Sequence, residues 1–255
     1  MPTINTNVAA IKARSNLERV QRDMDTSIAR LSSGKRITRA HDDAAGSAIA
    51  GRMESQIRGL TMGIRHAKDG QSLVDTQEGA LQEVTGILHR MRELAVQAAS
   101  GVASNADKDY LQIENLALLQ EIKAIGLNTK FNDTAVLTGT AFNFYTDIDV
   151  AGTAITTVTA AMTATILRAT TAATSIGGGR NAAGLKSAIS IVDYAIDRVN
   201  DKRANLGAVS NRFDHIVDNL TNVVANTEGA QSRIQDADFA VETTQLTRNT
   251  VLQQA

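Results

Sequence analysis

The 255-residue chain contains no cysteine, no tryptophan and a single proline, Pro2. Without cysteine it can form neither disulfide bonds nor thiolate metal sites. Without a later proline, nothing in the chain forbids long continuous helices. Aromatic residues make up only 3% of the chain, although hydrophobic residues reach 43%. Much of this apolar content is alanine, which suits thin seams between helices better than a thick globular core.

A strong net charge and long hydrophobic runs are also missing. The formal net charge of −1 gives no general signal for binding nucleic acid or a membrane surface. No apolar run is long enough to span a bilayer, and the N-terminus lacks the apolar core of a signal peptide. We therefore expect a chain that is either cytoplasmic or exported by a route that does not use such a signal.

The most regular stretch covers residues 185–234. Apolar residues recur there in alternating steps of three and four, and only Lys202 and Thr227 are polar in this register. The pattern predicts a helix about 75 Å long that begins near Ala182 and carries one narrow apolar seam, which requires a partner helix. The residues expected to pack in the seam are Leu206, Val209, Phe213, Ile216, Leu220 and Val223.

A second long helix is predicted between Asp42 or Asp43, either of which can serve as its N-cap, and about Ser100. Several glycines lie inside it, each costing about 1 kcal/mol relative to alanine, so its stability must come from packing. Its seam is expected to include Leu60, Ile64, Val74 and Leu81.

A third helix is predicted to begin at a capping box formed by Ser104 and Asp107 and to end at Gly126. We expect its apolar face to consist of Tyr110, Ile113, Ala117 and Ile122.

Both ends of the chain are predicted to be helical and opposite in charge. The segment from Lys12 to Arg39 carries eight basic and three acidic residues, whereas the segment after Ile234 carries three acidic residues and one arginine. Gly34 is expected to stop the N-terminal helix. The two ends are suited to pair, and the residues expected to carry this packing are Leu17, Val20, Met24, Leu31 and Leu246.

Between the third and the long C-terminal helix the composition changes to threonine, alanine and glycine. Alternating β-branched residues at 142–150 and 155–158 predict short β-hairpins, and three consecutive glycines at 177–179 mark the return loop. The fold predicted for the whole chain is mainly α: a long antiparallel helical rod or coiled coil with a small hairpin-containing insert and no large outer domains.

No catalytic, cofactor or metal site is predicted. The four histidines are scattered without the spacing of a helical metal site, and His41 beside Asp42 and Asp43 is better explained by helix capping than by metal ligation. The glycines at 177–184 lack the lysine and the strand–loop–helix context of a phosphate loop. We therefore expect a protein that is not an enzyme.

Both ends of the chain resemble bacterial flagellin, the filament subunit of the flagellum. The resemblance covers about two thirds of the chain, in order and at the usual positions. Its N-terminal motifs are Ile4-Asn5-Thr6-Asn7, Leu31-Ser32-Ser33-Gly34-Lys35-Arg36-Ile37, Asp42-Asp43-Ala44-Ala45-Gly46, Ala48-Ile49-Ala50, Arg92-Glu93-Leu94-Ala95-Val96-Gln97 and Phe131-Asn132. Its C-terminal motifs are Ala204-Asn205-Leu206-Gly207-Ala208, Asn211-Arg212-Phe213 and Ile234-Gln235-Asp236-Ala237-Asp238.

The resemblance implies a structural protein that is secreted, polymerises with copies of itself into the extracellular filament and serves motility. Flagellins are exported unfolded through a type III apparatus, assemble with the help of a chaperone and a cap protein, and order their terminal segments during assembly. The implied segments are 1–42, the N-terminal part of the core domain; 43–130, the N-terminal rod helices; 131–181, the variable insert; 182–234, the long C-terminal rod helix; and 235–255, the C-terminal core helix.

The resemblance also implies recognition by host Toll-like receptor 5. Flagellins seen by this receptor present an arginine and a leucine on one rod helix and a glutamate on the next. This chain has Arg90, Leu94 and Glu114 at the matching places. Arg90 and Leu94 are four residues apart, so we expect them on one helical face. The alternative is that these residues serve only subunit packing.

Flagellins normally continue for about thirty residues beyond a stretch like Leu252-Gln253-Gln254-Ala255, where this sequence stops. This difference implies either a trimmed sequence or a subunit defective in polymerisation and chaperone binding. Two other functions remain open at this point: a hook–filament junction protein, which has similar ends, and a helical signalling module such as a chemoreceptor hairpin.

Overall fold

The computed structural model describes residues 7–138, 142–144, 155–157, 176–178 and 181–254. In these residues the elements follow each other in a simple order along the chain. They are α1 (Val8–Ser33), α2 (Ala44–Ala98), α3 (Asn105–Asn128), β1 (Lys130–Phe131), β2 (Thr134–Ala135), β3 (Phe142–Phe144), β4 (Ile155–Thr157), α4 (Ala182–Gln235) and α5 (Phe239–Gln254). The predicted mainly α fold with a small hairpin-containing insert is confirmed.

The helix ends follow local capping chemistry. Gly34 takes φ 70° after α1, and its N–H donates to Arg30 O, as predicted for a glycine stop. Asp43 Oδ1 accepts the N–H of Gly46 at 2.8 Å, so Asp43 rather than Asp42 caps α2. The predicted capping box of Ser104 and Asp107 is present at the start of α3.

Two predictions for α3 were wrong. Gly126 does not end the helix, which continues to Asn128 and is capped by Thr129. Tyr110 and Ile113 are 72% and 66% exposed, so they do not form the buried face. The face that packs inward consists of Asn115, Leu119, Ile122 and Gly126, at steps of four, three and four. Asn115 and Gly126 interrupt the apolar periodicity of this face, so the sequence pattern does not reveal it. The helix continues through Gly126 because packing outweighs the cost of about 1 kcal/mol for a glycine inside a helix.

The insert contains two antiparallel two-stranded sheets in its described part. Strands β1 and β2 are joined by Asn132 and Asp133 at φ 49° and 61°, the left-handed pair that a tight hairpin turn needs. Strands β3 and β4 pair Phe142 with Thr157 and Phe144 with Ile155. The remaining residues of the predicted strands, 145–150 and 158, and Gly179 lie outside the described residues.

The chain divides into two compact units, and the division cuts α2 and α4. Unit 1 contains residues 1–61 and 221–255, and unit 2 contains residues 62–220. The sequence-based segments instead keep each long helix almost whole, and their boundary after residue 130 divides strand β1.

The main core lies in unit 2, where α2 and α4 run antiparallel. Polar contacts mark their alignment, because Gln71 bonds to Asp214 while Arg92 bonds to Asp193 at 2.6 Å. From Leu73 onward α2 also packs against residues outside α4, because Ile122 of α3 and Val136, which follows β2, belong to the same core cluster. The core residues on the two long helices include Leu73, Val74, Leu81, Val84, Leu88, Met91, Val192, Val199, Leu206 and Phe213.

Candidate assembly surface and receptor face

The segments that follow α1 and precede α5 pair with each other in unit 1. Arg36 N–H donates to Gln235 O at 2.7 Å, and Ala237 N–H donates to Gly34 O at 3.0 Å. An isolated antiparallel bridge joins the same two segments. The pairing places the C-terminal end of α1 beside the N-terminal end of α5, so the two terminal helices lie alongside each other in opposite directions.

Contacts along α1 and α5 confirm this antiparallel arrangement. With increasing distance from the paired segments, the contacting residues have lower numbers on α1 and higher numbers on α5. The contacts are Arg30 Nη1 to Glu242 Oε1 at 2.9 Å, Met24 Sδ to Thr250 Oγ1 at 3.9 Å, and Gln21 Oε1 to Gln253 Nε2 at 2.9 Å. We call these two helices the terminal pair.

The terminal pair encloses charged and polar side chains. Glu242 is 5% exposed and Ser27 is 2% exposed. Arg30 Nε and Glu242 Oε2 are buried and have no hydrogen-bond partner among the described residues. A polar cleft beside Arg30 is lined by residues of both helices, including Asp23 and Arg248. The inner seam therefore contains an ion pair whose carboxylate is buried, whose arginine is partly exposed, and in which one polar atom of each side chain lacks a partner.

The terminal pair leaves large hydrophobic side chains exposed on both of its helices, and we call them its outer apolar surface. Large hydrophobic residues on it are close to half exposed or more, although each helix also carries many polar residues. They are Val8, Ile11, Leu17 and Ile28 on α1, and Phe239, Val241, Val251 and Leu252 on α5. Large hydrophobic side chains exposed on two adjoining helices are available for burial against another chain, so the terminal pair is the candidate assembly surface.

The residues that the sequence assigned to the terminal pair occupy different positions in it. Val20, Met24, Leu31 and Leu246 are half-buried, whereas Leu17 is 49% exposed. Leu17 thus contributes to the outer surface more than to the inner seam.

The residues that the sequence assigned to the long helix seams lie mostly inside the molecule. Leu206, Val209, Phe213, Leu220, Leu60, Val74 and Leu81 are buried, and Ile64 and Ile216 are half-buried. Val223 is 39% exposed, which corrects the expectation that it packs in the seam. None of the predicted seam positions of α4 that follow Leu220 is fully buried in the described structure. The heptad pattern of the sequence continues beyond Leu220, but fewer residues pack against α4 there.

Arg90 and Glu114 are joined across α2 and α3 on the surface of unit 2. Arg90 Nε lies 2.8 Å from Glu114 Oε1, and both side chains are almost half exposed. Arg90 Nη1 also lies 3.1 Å from Glu93 Oε2. The hydrogen bonds that Arg90 donates to Glu114 and, with a smaller effect, to Glu93 raise the pKa of its guanidinium further above its ordinary value. The two residues form one charged surface feature, which we call the Arg90–Glu114 pair.

Leu94 does not share this surface. It is 0% exposed and packs in a small core with Ile176, Leu185 and Ala188. The expectation that Arg90 and Leu94 present one face is therefore corrected. Four helical residues span slightly more than one turn, so Leu94 falls on the inner side of a boundary at which Arg90 still reaches solvent.

The pairing of the half-buried Arg30 with the buried Glu242 was not predicted from the sequence. The opposite net charges of the chain ends indicated attraction, but they could not say which of the basic residues of α1 faces the single carboxylate of α5. Gln77, fully buried with its amide donating to Val136 O at 2.9 Å, was also missed, because a glutamine in an apolar stripe resembles an exposed position.

Neither a metal site nor a membrane span appears in the described part of the chain. No group of three or more histidine, cysteine, aspartate or glutamate residues there is arranged to hold a metal ion. Among the same residues, no helix is both long and apolar enough to cross a membrane.

Comparison with known protein families matches both ends of the chain. Residues 4–141 match the family model of the bacterial flagellin N-terminal helical region, and residues 189–255 match that of the C-terminal helical region. The flagellin of Halalkalibacterium halodurans is 38% identical over 253 residues, covering 99% of this chain and 92% of that protein. The flagellin of Bacillus subtilis is 38% identical over 282 residues, covering 99% and 93%.

Two solved structures are similar in fold. The crystal structure of Bacillus cereus flagellin has a TM-score of 0.53 at 32% identity, covering 64% of this chain and 94% of that one. A putative flagellar hook-associated protein from Vibrio parahaemolyticus has a TM-score of 0.68 at 13% identity, covering 76% of this chain and 100% of that one. At that identity the second similarity concerns the fold alone.

Proposed function

Because the chain belongs to the bacterial flagellin family and is therefore a structural subunit of the flagellar filament, we propose that it enters the filament through the outer apolar surface of its terminal pair. The observation that carries this proposal is the exposure of eight large hydrophobic residues on two adjoining helices. Covering them stabilises the assembled state by about 25 cal/mol for each Å² of apolar surface removed from water.

The occupant of this surface is another copy of the same chain. Flagellins self-polymerise, so every subunit brings the same exposed residues to its neighbours. A contact between two different patches of identical subunits repeats without closing and generates a helical polymer. The hook–filament junction and signalling alternatives receive no such support, since the matching relatives at 38% identity are flagellins.

Sedimentation and negative-stain microscopy of the purified chain with filament seeds test this proposal. We expect the protein to move into the pellet and to extend the seeds as uniform helical tubes. Short caps of fixed length on the seeds would instead indicate a junction protein, and a chain that stays soluble at every concentration would exclude the filament role.

Export is the second part of the proposal. We infer that the subunit reaches the extracellular filament through the flagellar type III apparatus, with a chaperone and a cap protein as further partners. The Thr-, Ala- and Gly-rich insert and the partner-dependent helices suit passage as an unfolded chain. Expression in cells with and without this apparatus tests the route: the chain should appear in the medium only when the apparatus is present, and equal release from both strains would contradict it.

Recognition by Toll-like receptor 5 is the third part. We propose that the receptor contacts the exposed Arg90–Glu114 pair, in which the arginine offers a planar donor group and the glutamate fixes its orientation. Leu94 does not contact the receptor in this proposal. Its packing with Leu185 and Ala188 holds the part of α2 that carries Arg90 in place.

A receptor reporter assay separates these roles. Arg90→Ala and Glu114→Ala should each lower potency at least about tenfold without changing thermal stability. Arg92→Ala is the matched control, because Arg92 is equally exposed on α2 but pairs with Asp193 of α4. Unchanged potency for both Arg90→Ala and Glu114→Ala would remove the pair from the receptor site. Leu94→Ala should lower the melting temperature, as a buried leucine truncation does.

A further inference from the structure

The apolar seam of α1 does not by itself fix how α1 and α5 are aligned. The half-buried Met24 and Leu31 and the more exposed Leu17 follow one another at intervals of seven residues, the repeat of a coiled coil. A slip of one heptad toward Asp23 therefore replaces Leu31 by Met24 and Met24 by Leu17, so two of these three positions keep a large apolar side chain. On the α5 side, Leu246 is the only large apolar residue among the half-buried or buried positions. Hydrophobic packing thus discriminates weakly between alignments that differ by one heptad.

Charge does discriminate between them. Glu242 is the only carboxylate in α5, and in the observed alignment it faces Arg30. The α1 residue seven positions before Arg30 is Asp23. A slip in that direction would bring the buried Glu242 against Asp23, which places two like charges side by side. A slip in the other direction would place Glu242 past Ser33, the last residue of α1, without a partner on that helix.

We propose that the Arg30–Glu242 ion pair is a register-determining element, which selects one alignment of the terminal helices and excludes the alignments slipped by a heptad. Single buried polar contacts fix register in coiled coils at a cost in stability, which is the best-attested role of such groups. This inference concerns the alignment of two helices within one subunit, and it does not depend on which surface joins one subunit to the next.

The geometry of the pair suits selection more than stabilisation. Glu242 is buried and Arg30 is mostly buried, yet only one of the two possible charge-assisted hydrogen bonds forms. Arg30 Nε and Glu242 Oε2 remain without partners among the described residues. The cost of burying these unpaired atoms offsets much of the stability that the ion pair contributes. The same atoms do not weaken its selection of the register, because a slipped alignment would still bring two like charges together.

Cysteine cross-linking can read the alignment directly, because the natural chain has no cysteine. Gln253→Cys is combined with Gln21→Cys, whose side chains are in contact in the observed alignment. A second double variant combines Gln253→Cys with Arg14→Cys, seven residues earlier, which reports the slip toward Asp23. The full chain is incubated with filament seeds, free and sedimented fractions are treated separately with a short bismaleimide that bridges two thiols, and peptide mass spectrometry identifies links within one subunit.

Glu242→Arg is the decisive variant, since it repels Arg30 in the observed alignment and attracts Asp23 in the slipped one. We expect the linkage to move from position 21 to position 14, with the ratio of the two changing by at least about tenfold. Glu242→Gln, a neutral side chain of the same shape, should lower the preference for position 21 without reversing it.

Two results would overturn the proposal. If Glu242→Arg still links position 21 alone, the paired segments beside Gly34 and Ala237 set the register instead. If it links neither position while the parent links position 21, the ion pair serves only to hold the helices together. A chain that never sediments but shows the expected shift in its free fraction would refute the filament proposal and leave the register assignment standing.

Discussion

The ring of Phe213 lies against the backbone of Gly70, so closely that a Cβ atom at position 70 would stand 2.6 Å from the ring Cζ and 3.0 Å from Cε1. Phe213 is fully buried, and its ring meets that of Phe144 edge to face at a centroid distance of 5.9 Å. Because Gly70 of α2 has no side chain, the ring of Phe213 of α4 fits against the α2 backbone. Phe144 of strand β3 then packs on that ring.

Gly70→Ala should lower the free energy of unfolding by about 1–3 kcal/mol, because the added methyl group overpacks the Phe213 site. Urea denaturation followed by circular dichroism measures the change. Gly79→Ala is the matched control on the same helix, since nothing lies within 4 Å of the Cβ position there. It should raise stability by about 0.5–1 kcal/mol through the better helix propensity of alanine. Equal gains at both positions would contradict the close contact.

Ser104→Ala should destabilise unit 2 by about 1 kcal/mol, because it removes the hydroxyl that accepts the Asp107 N–H at 3.2 Å. Thermal denaturation is a sufficient measurement. The exposed Ser100, four residues earlier in the same connection, provides the comparison: Ser100→Ala should stay within about 0.5 kcal/mol of the parent. If Ser100→Ala destabilised the protein as much as Ser104→Ala does, the loss of stability would reflect any substitution in the connection between α2 and α3 and not the loss of the helix cap.

Asp42 should make the turn after α1 sensitive to acid. Its side chain accepts the N–H of Arg39 and the hydroxyl and N–H of Thr38, and the nearby His41 adds a smaller favourable charge effect. These hydrogen bonds, that from Arg39 first, lower the pKa of Asp42 from 3.8 to about 2. Since the folded pKa is the lower one, the stabilisation is complete above pH 3.8 and is lost as the pH falls through about 2.

The test compares the chain with Asp42→Ala by urea denaturation between neutral pH and pH 2. The parent should be the more stable of the two at neutral pH, and the difference should shrink in acid. A difference that stays constant or grows on acidification would show that the carboxylate does not titrate with folding.

The regular parts of the molecule follow from local rules, and the sequence therefore predicted them. The helix at 182–235, the stop at Gly34 and the cap at Ser104 depend on periodicity and on residues within one turn. The buried face of α3 escaped prediction because Asn115 and Gly126 interrupt its apolar pattern. The sequence could not place Leu94 on the inner side of α2 either, since that depends on Ile176 and Leu185, which are distant in the chain.

The polar seam between α1 and α5 escaped prediction for a related reason. Arg30 and Glu242 are 212 residues apart in the chain, so no local sequence pattern indicates that they form an ion pair. Only their alignment in the fold shows that a one-heptad slip would bring two carboxylates together.

Sedimentation of Ile28→Glu tests most directly the claim that subunits join through the outer apolar surface of the terminal pair. Ile28 is 47% exposed and lies outside the contacts described between α1 and α5, so the variant should keep its helical circular dichroism. Each neighbour would have to bury an unpaired charge there, which costs far more than the lost apolar contact. With filament seeds, Ile28→Val should sediment like the parent and Ile28→Glu should stay in the supernatant. A folded Ile28→Glu subunit that polymerises as well as the parent would contradict the account.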